Sequence, residues 1–223
     1  MSDPIVSVTA EKQDRKTNDI IYIDPPKVRK SRPYLFIKRS FDVIFSLLGL
    51  LVLFFPMAVI ALAVVLDSPG NPFYKQERLG KNGKPFFMFK FRSMRLDAEV
   101  NGPQWADKDD KRCTRVGAFL RKTRLDELPQ LYNILRGDMS FVGPRPERPY
   151  FYDQFEKYIV GFSNRLAVIP GLTGYAQVNG GYDLPPEEKI VYDMEYIEKQ
   201  SVGMDLKCLA KTFRVVLTQA DAR

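Results

Sequence analysis

Histidine is absent from the 223-residue chain. That absence excludes Ser-His-Asp and Cys-His nucleophile pairs, imidazole general bases and His-ligated zinc. Cysteine is scarce: Cys113 and Cys208 lie far apart and form no Cys-x-x-Cys. They support neither a disulfide framework nor a zinc site, and they fit a reducing compartment. No internal repeat or low-complexity tract is present. Any catalysis therefore falls to carboxylates, Lys, Arg, Tyr, a hydroxyl, a thiol or an oxygen-bound metal. A hard cation such as Mg²⁺ stays open, because it prefers oxygen ligands.

What is present is positive charge. The formal net charge is +7 and the pI is about 9.3, which points to an anionic partner: nucleic acid, a phospholipid surface or a phosphorylated small molecule. The length allows one domain with a real core, or one domain with an appendage. Residues 1–33 are polar, charged and proline-dotted, and read as a mobile tail rather than a signal peptide.

Val43 to Leu66, "VIFSLLGLLVLFFPMAVIALAVVL", holds 24 residues and no charge. As one helix it would extend about 36 Å, enough to cross a hydrocarbon core of about 30 Å. A single transmembrane span is the plain reading. Two features oppose it. Pro56 lies near the middle, where it removes an N–H and clashes with the preceding turn. Basic residues flank both ends, with Lys38 and Arg39 on one side and Lys75 and Arg78 on the other, and a spanning helix would carry one cluster across. The expectation is a re-entrant helix-break-helix over residues 34–68, dipping into one leaflet and broken at Pro56.

After Leu66 the composition becomes soluble. "DSPGNP" (67–72) reads as a turn and "PFFMFKFRSM" (85–94) as a short strand. Apolar spacings of three and four from Val116 to Leu135 predict helices, with Gly137 as a C-terminal stop. "MDLKCLAKTFRVVL" (204–217) reads as an amphipathic basic helix. It would lie on an anionic membrane or dock on the domain's own core.

"RLDELPQLYNILRGDMSFVGPRP" (124–146) sets Asp126 and Glu127 side by side among arginines. Adjacent helical residues point about 100° apart, so the two are not a facing acid/base pair. They could serve one centre at a helix end, and Pro129 makes a helix start plausible there. The plain reading of Asp126 is a helix N-cap. The alternative follows from the arginines. A carboxylate can approach a nucleotide diphosphate only where guanidinium groups and Mg²⁺ mask the phosphate charge, and its attack on phosphorus gives an acyl phosphate. Pro144 and Pro146 would then stiffen the chain around Arg145. "PGLTGYAQVNG" (170–180) reads as a turn-rich stretch. Gln177 and Asn179 there could hydrogen-bond a base or sugar, or the stretch could be a surface loop.

Taken together, "KRSFDVIFSLLGLLVLFFP", "KQERLGKNGKPFFMFKFRSM", "RLDELPQLYNILRGDMSFVGPRP", "PGLTGYAQVNG" and "DLKCLAKTF" resemble the bacterial sugar transferase family, the monotopic phosphoglycosyl transferases that start glycan assembly on polyprenol phosphate. The likeness runs from about Arg32 to about Leu217, and the chain looks like a small member holding only the catalytic unit. The resemblance implies an α+β, predominantly helical fold: the re-entrant helix, then a cytosolic catalytic domain over 69–223 with amphipathic interfacial helices. It implies a ping-pong reaction in which Asp126 attacks the β-phosphorus of a UDP-sugar, releases UMP and passes the phosphosugar to undecaprenyl phosphate. Glu127 would assist through metal or proton handling, and Mg²⁺ would be needed, with Asp126 as its ligand. Arg121 and Arg145 would bind phosphate oxygens, and Lys90 and Arg92 in "FKFRSM" are further candidates for that role. The family breaks its membrane helix at Ser-Pro, whereas Phe55 precedes Pro56 here, which puts the bend angle in doubt.

The implied place is the bacterial inner membrane, facing the cytoplasm, with nucleic acid no partner. Neither the sugar, the glycan pathway nor homo-oligomerisation is fixed by the sequence. Two competing readings stand beside this one. A glycosyltransferase would release UDP, with "DKD" (107–109) as its metal motif. A membrane-anchored scaffold or nucleic-acid binder would use the charge alone.

Overall fold

The uncharged stretch folds as two helices. In the computed structural model, which describes residues 20–28, 31–100, 102, 110–180 and 184–218, α1 (Arg32–Val52) and α2 (Phe54–Asp67) meet at Leu53. They are bent by 62°. Among the described residues no single helix is long and apolar enough to cross a membrane, whereas the bent pair passes that test together. The break lies three residues before Pro56, not at it. Pro56 offers no N–H to the Val52 carbonyl, and its ring would clash with that carbonyl in a continuous helix. The chain therefore turns at Leu53, and Pro56 falls in the first turn of α2, where it is tolerated. The Leu53 N–H still reaches the Gly49 carbonyl at 2.9 Å, and the Met57 N–H reaches that of Leu53 at 2.8 Å.

The basic flank of α1 does more than meet a surface. Lys38 Nζ donates to the Val142 carbonyl and to Asp205 Oδ2, both at 2.8 Å. Arg39 caps the end of α4 (Gln130–Arg136), donating to the carbonyls of Ile134 at 2.7 Å and Leu135 at 2.8 Å. Buried Asp42 accepts from Ser140 Oγ at 3.1 Å and from the Phe141 N–H at 3.0 Å. Apolar contacts complete the seat. Leu50 and Leu53 pack on Met88, Leu131 and Ile134, and Met57 and Ile60 join Val64 against Phe91 and Leu120. The opposite face presents Phe36, Leu48, Leu51, Phe55 and Leu62 exposed. Asp42→Ala leaves a buried hydroxyl and a peptide N–H without their acceptor, at about 1–3 kcal/mol. A fall in Tm of roughly 5 °C is expected, read by thermal unfolding in detergent micelles. An unchanged Tm would show that this joint carries no load.

The rest is mixed helix and strand. β2 (Phe73–Leu79) and β3 (Pro85–Phe91) pair antiparallel, joined through Asn82 and Gly83, both at positive φ. The strand read over 85–94 is thus present as 85–91. α3 (Arg115–Thr123) and α4 occupy the stretch predicted helical, and Gly137 ends α4 in the left-handed region. β4 (Ser140–Val142) pairs parallel with β6 (Gly171–Thr173).

Two expectations need correction. "PGLTGYAQVNG" is not a turn-rich loop but β6 followed by α6 (Tyr175–Gly180). Its glycine serves close packing: a Cβ on Gly171 would lie 2.1 Å from the Gly143 nitrogen. The tail reading does not fit residues 20–28, while residues 1–19, 29 and 30 lie outside the described part. β1 (Ile21–Tyr22) pairs parallel with β5 (Ile159–Val160), and Ile21 and Ile23 pack against Tyr152, Ile159 and Phe162. Alternation over "IYI" makes that burial worthwhile. After α5 (Pro149–Phe155) and α7 (Pro186–Lys199), α8 (Val202–Thr218) docks through Met204, Cys208 and Leu209, while Leu206 and Phe213 remain exposed.

Candidate active site

α3 ends at Arg124, which takes the left-handed conformation with φ 58° and ψ 16°. That backbone costs a non-glycine residue about 1–2 kcal/mol. It turns the chain into a 3₁₀ turn over Leu125–Glu127, from which Leu125 and Leu128 pack against the cluster of Val64, Phe91 and Leu120. Asp126 and Glu127 are left on the other side. Asp126 is not a helix cap: Pro129 occupies the N-cap of α4, with no side-chain cap bond.

The two acids have opposite surroundings. Glu127 Oε1 accepts from Lys90 Nζ at 2.9 Å and from Arg145 Nη2. Burial pushes its carboxyl up, but the Arg145 guanidinium and the Lys90 ammonium outweigh burial and hold it well below the usual carboxylate range. Asp126 makes no hydrogen bond among the described residues. Burial pushes its carboxyl up to about 6; Lys90 draws it down, and the charge of Glu127 raises it. One acid is held as an anion by two cations, and the other is a buried carboxyl with no hydrogen-bond partner among the described residues.

Asp126 lines a cavity of about 360 Å³ together with Lys90, Arg121, Arg124 and Arg145. Cations outnumber carboxylates on its lining, an arrangement suited to a polyanionic ligand. Glu127 is not among the lining residues. Arg121 donates to Cys113 Sγ at 3.0 Å and lies 4.0 Å from Asp110. Arg145 Nη1 and Gln177 Nε2 both reach the Leu172 carbonyl at 3.3 Å, so Gln177 stands beside Arg145 on the cavity wall.

Two predicted ligands are placed differently. Arg92 borders the cavity, but its guanidinium bonds the Ser68 and Pro69 carbonyls and so ties down the turn after α2. Asn179 lies off the cavity. Its amide bonds the Tyr175 carbonyl one turn back and accepts from Lys211. The helical fold of 175–180 sends residues two apart in different directions, which a loop reading cannot show. The "DKD" motif and residues 181–183 lie outside the described residues.

Sequence reasoning missed a second charged layer. Arg78 donates to the Pro146 carbonyl at 2.9 Å and pairs with Glu147 at 3.2 Å, and Lys189 also pairs with Glu147 at 3.2 Å. Arg148 pairs with Glu99, which also accepts from the Tyr74 hydroxyl. The Asn-Gly of "KNGK" (81–84) was the available signal for the hairpin that carries Arg78 and Lys90. Among the described residues no group of three or more His, Cys, Asp or Glu side chains could hold a metal.

Comparison with known proteins identifies the family. A Bacillus subtilis (strain 168) protein, provisionally named an undecaprenyl-phosphate N-acetylgalactosaminyl 1-phosphate transferase, is 53% identical over 137 residues, 61% of this chain and 76% of its own length. An Aeromonas hydrophila protein named UDP-N-acetylgalactosamine-undecaprenyl-phosphate N-acetylgalactosaminephosphotransferase is 43% identical over 194 residues, covering 85% of this chain and 46% of its own length. A Xanthomonas campestris pv. campestris protein named UDP-glucose:undecaprenyl-phosphate glucose-1-phosphate transferase is 41% identical over 201 residues, covering 87% of this chain and 42% of its own length. The chain thus spans less than half the length of the latter two. The family model described as bacterial sugar transferase matches residues 33–219, which takes in the broken helix, the acid pair and α8, and the chain belongs to that family.

Proposed function

We propose that this chain transfers a sugar-1-phosphate from a UDP-sugar to undecaprenyl phosphate and releases UMP. The observation that carries the reading is the divided acid pair: Asp126, with no hydrogen-bond partner among the described residues, lines a cation-rich cavity, while Glu127 is held as an anion behind it. An Asp126 oxygen attacks the β-phosphorus. The new O–P bond forms as the bond from that phosphorus to the bridging oxygen breaks, and the bridging oxygen leaves with UMP. A phosphate oxygen of the lipid then attacks the same phosphorus, and the aspartyl oxygen departs as carboxylate. Lys90, Arg121 and Arg145 bind the phosphate oxygens and offset their charge. The names of the Aeromonas and Xanthomonas relatives support both substrates.

Mg²⁺ fits the donor set, because it takes one or two carboxylates plus substrate phosphates and does not need a full protein cage. Asp126 is the carboxylate that would hold it, and the ion would supply further charge neutralisation at the pyrophosphate. The test of the reaction is nucleotide identity. Membranes carrying the chain, given a panel of UDP-sugars and undecaprenyl phosphate, are expected to release UMP; UDP as the product would establish sugar transfer instead.

The chain sits, on this reading, in the cytoplasmic leaflet of the bacterial inner membrane, with the exposed face of α1 and α2 in lipid. The 62° bend and the anchoring of α1 to the catalytic domain support re-entry. It follows that cysteine tags placed at the two ends of the chain are both labelled from the cytoplasmic side. Labelling from opposite sides would defeat re-entry.

A further inference from the structure

We infer that Arg165, anchored by Asp193, is a positioning residue for Arg145: it fixes the peptide plane from which the Arg145 guanidinium reaches the cavity. This rests on the reading of Arg145 as a phosphate ligand. Arg165 is 2% exposed and Asp193 1% exposed. Arg165 Nε and Nη2 lie 2.8 and 2.7 Å from Asp193 Oδ2, and its guanidinium stands 4.8 Å over the Phe162 ring. Nη2 also donates to the carbonyl of Arg145 at 2.9 Å.

Pro144 and Pro146 fix their own φ angles, and Pro146 confines residue 145 to extended backbone. The prolines stiffen the segment, and Arg165 ties it to the buried core through the Arg145 carbonyl. Arg78 takes the next carbonyl, that of Pro146, at 2.9 Å. At the other end of the side chain, Glu127 and the Leu172 carbonyl hold the Arg145 guanidinium. Stability alone does not account for the buried pair, since apolar residues of similar volume often serve a core as well. Apolar replacements would supply no donor to the carbonyl of residue 145.

The test uses the full chain in detergent micelles. In Arg165→Met/Asp193→Leu both charges leave together, so no buried charge is stranded. A folded protein is expected whose KM for the UDP-sugar rises about tenfold, with kcat changed less. UDP affinity, read by calorimetry, is expected to weaken in parallel. In an Arg145→Ala background the same pair is expected to add nothing to the loss of UDP affinity, because Arg165 acts through Arg145. Unchanged KM and UDP affinity in the folded variant, or full additivity with Arg145→Ala, would overturn the inference. Should the pair variant not fold, Arg165→Lys serves: it keeps the charge opposite Asp193 with a different donor geometry. A raised KM is again expected, and an unchanged one overturns the idea. Absence of turnover by the wild type defeats the functional reading instead, while UDP affinity still decides the role of Arg165.

Discussion

Asp126→Asn is expected to lose turnover by at least about 10³-fold and yet to unfold at a higher temperature than the wild type. The first half follows from the nucleophilic part proposed for it: an amide cannot form and release the acyl phosphate. The second follows from the cost of keeping a carboxylate in that cavity. Its carboxyl titrates near 6, above its ordinary value of 3.8, because burial disfavours the charged form more than Lys90 favours it. Between those two values the native chain binds more protons than the unfolded chain, so stability falls as pH rises through the window. At neutral pH the ionised form therefore lowers stability, by about 3 kcal/mol. The neutral isostere escapes that cost, and Tm is expected to rise by several degrees at pH 7.5. Near pH 5, where the wild-type acid is mostly protonated, the difference should shrink. Normal UMP release by Asp126→Asn would sink the nucleophile assignment. A Tm below that of the wild type at pH 7.5 would show that the carboxylate is stabilised by contacts outweighing burial.

Local chemistry made some of this legible in the sequence. An apolar run interrupted by proline dictates a break, and the ring's clash with the carbonyl four residues back places it at Leu53 rather than Pro56. Gly137 ends α4 because a left-handed residue suits glycine. The acid pair was visible as a pair, but its division was not. Which carboxylate would meet Lys90, 37 residues away, depends on the left-handed turn at Arg124, and no propensity favours arginine there. The same limit hid the uses of Lys38, Arg39 and Asp42. As a flank they read as charges beside a membrane; in the fold they join α1 to residues 95 to 167 positions distant. The ties of Arg92 were hidden for this reason too, since its guanidinium borders the cavity while bonding a nearby backbone turn.

Glu127→Gln is expected to be the more damaging change to the fold, and it separates two roles for this acid. A group held so far below the usual carboxylate range stays ionised at neutral pH and is a poor proton carrier. Its evident work is electrostatic: it anchors Arg145 and Lys90, which face the cavity. Removing its charge takes an anionic partner from two half-buried cations, at about 1–3 kcal/mol, and a loss of kcat/KM of roughly 10²-fold is expected through misplaced cations. The pH profile carries the sharper signature. Glu127's charge raises the Asp126 carboxyl, while Lys90 and Arg145 lower it. With the charge gone, Asp126 should ionise at lower pH, and the acid limb of kcat/KM should move downward from its wild-type position. Glu127→Asp, which keeps the charge on a shorter stem, is expected to leave the limb in place while recovering part of the activity. A proton-transfer role would instead remove the Glu127-dependent limb in the glutamine variant. That outcome, or a limb unmoved in both variants, would mean that the two neighbouring acids do not divide their labour as the Lys90 and Arg145 contacts dictate.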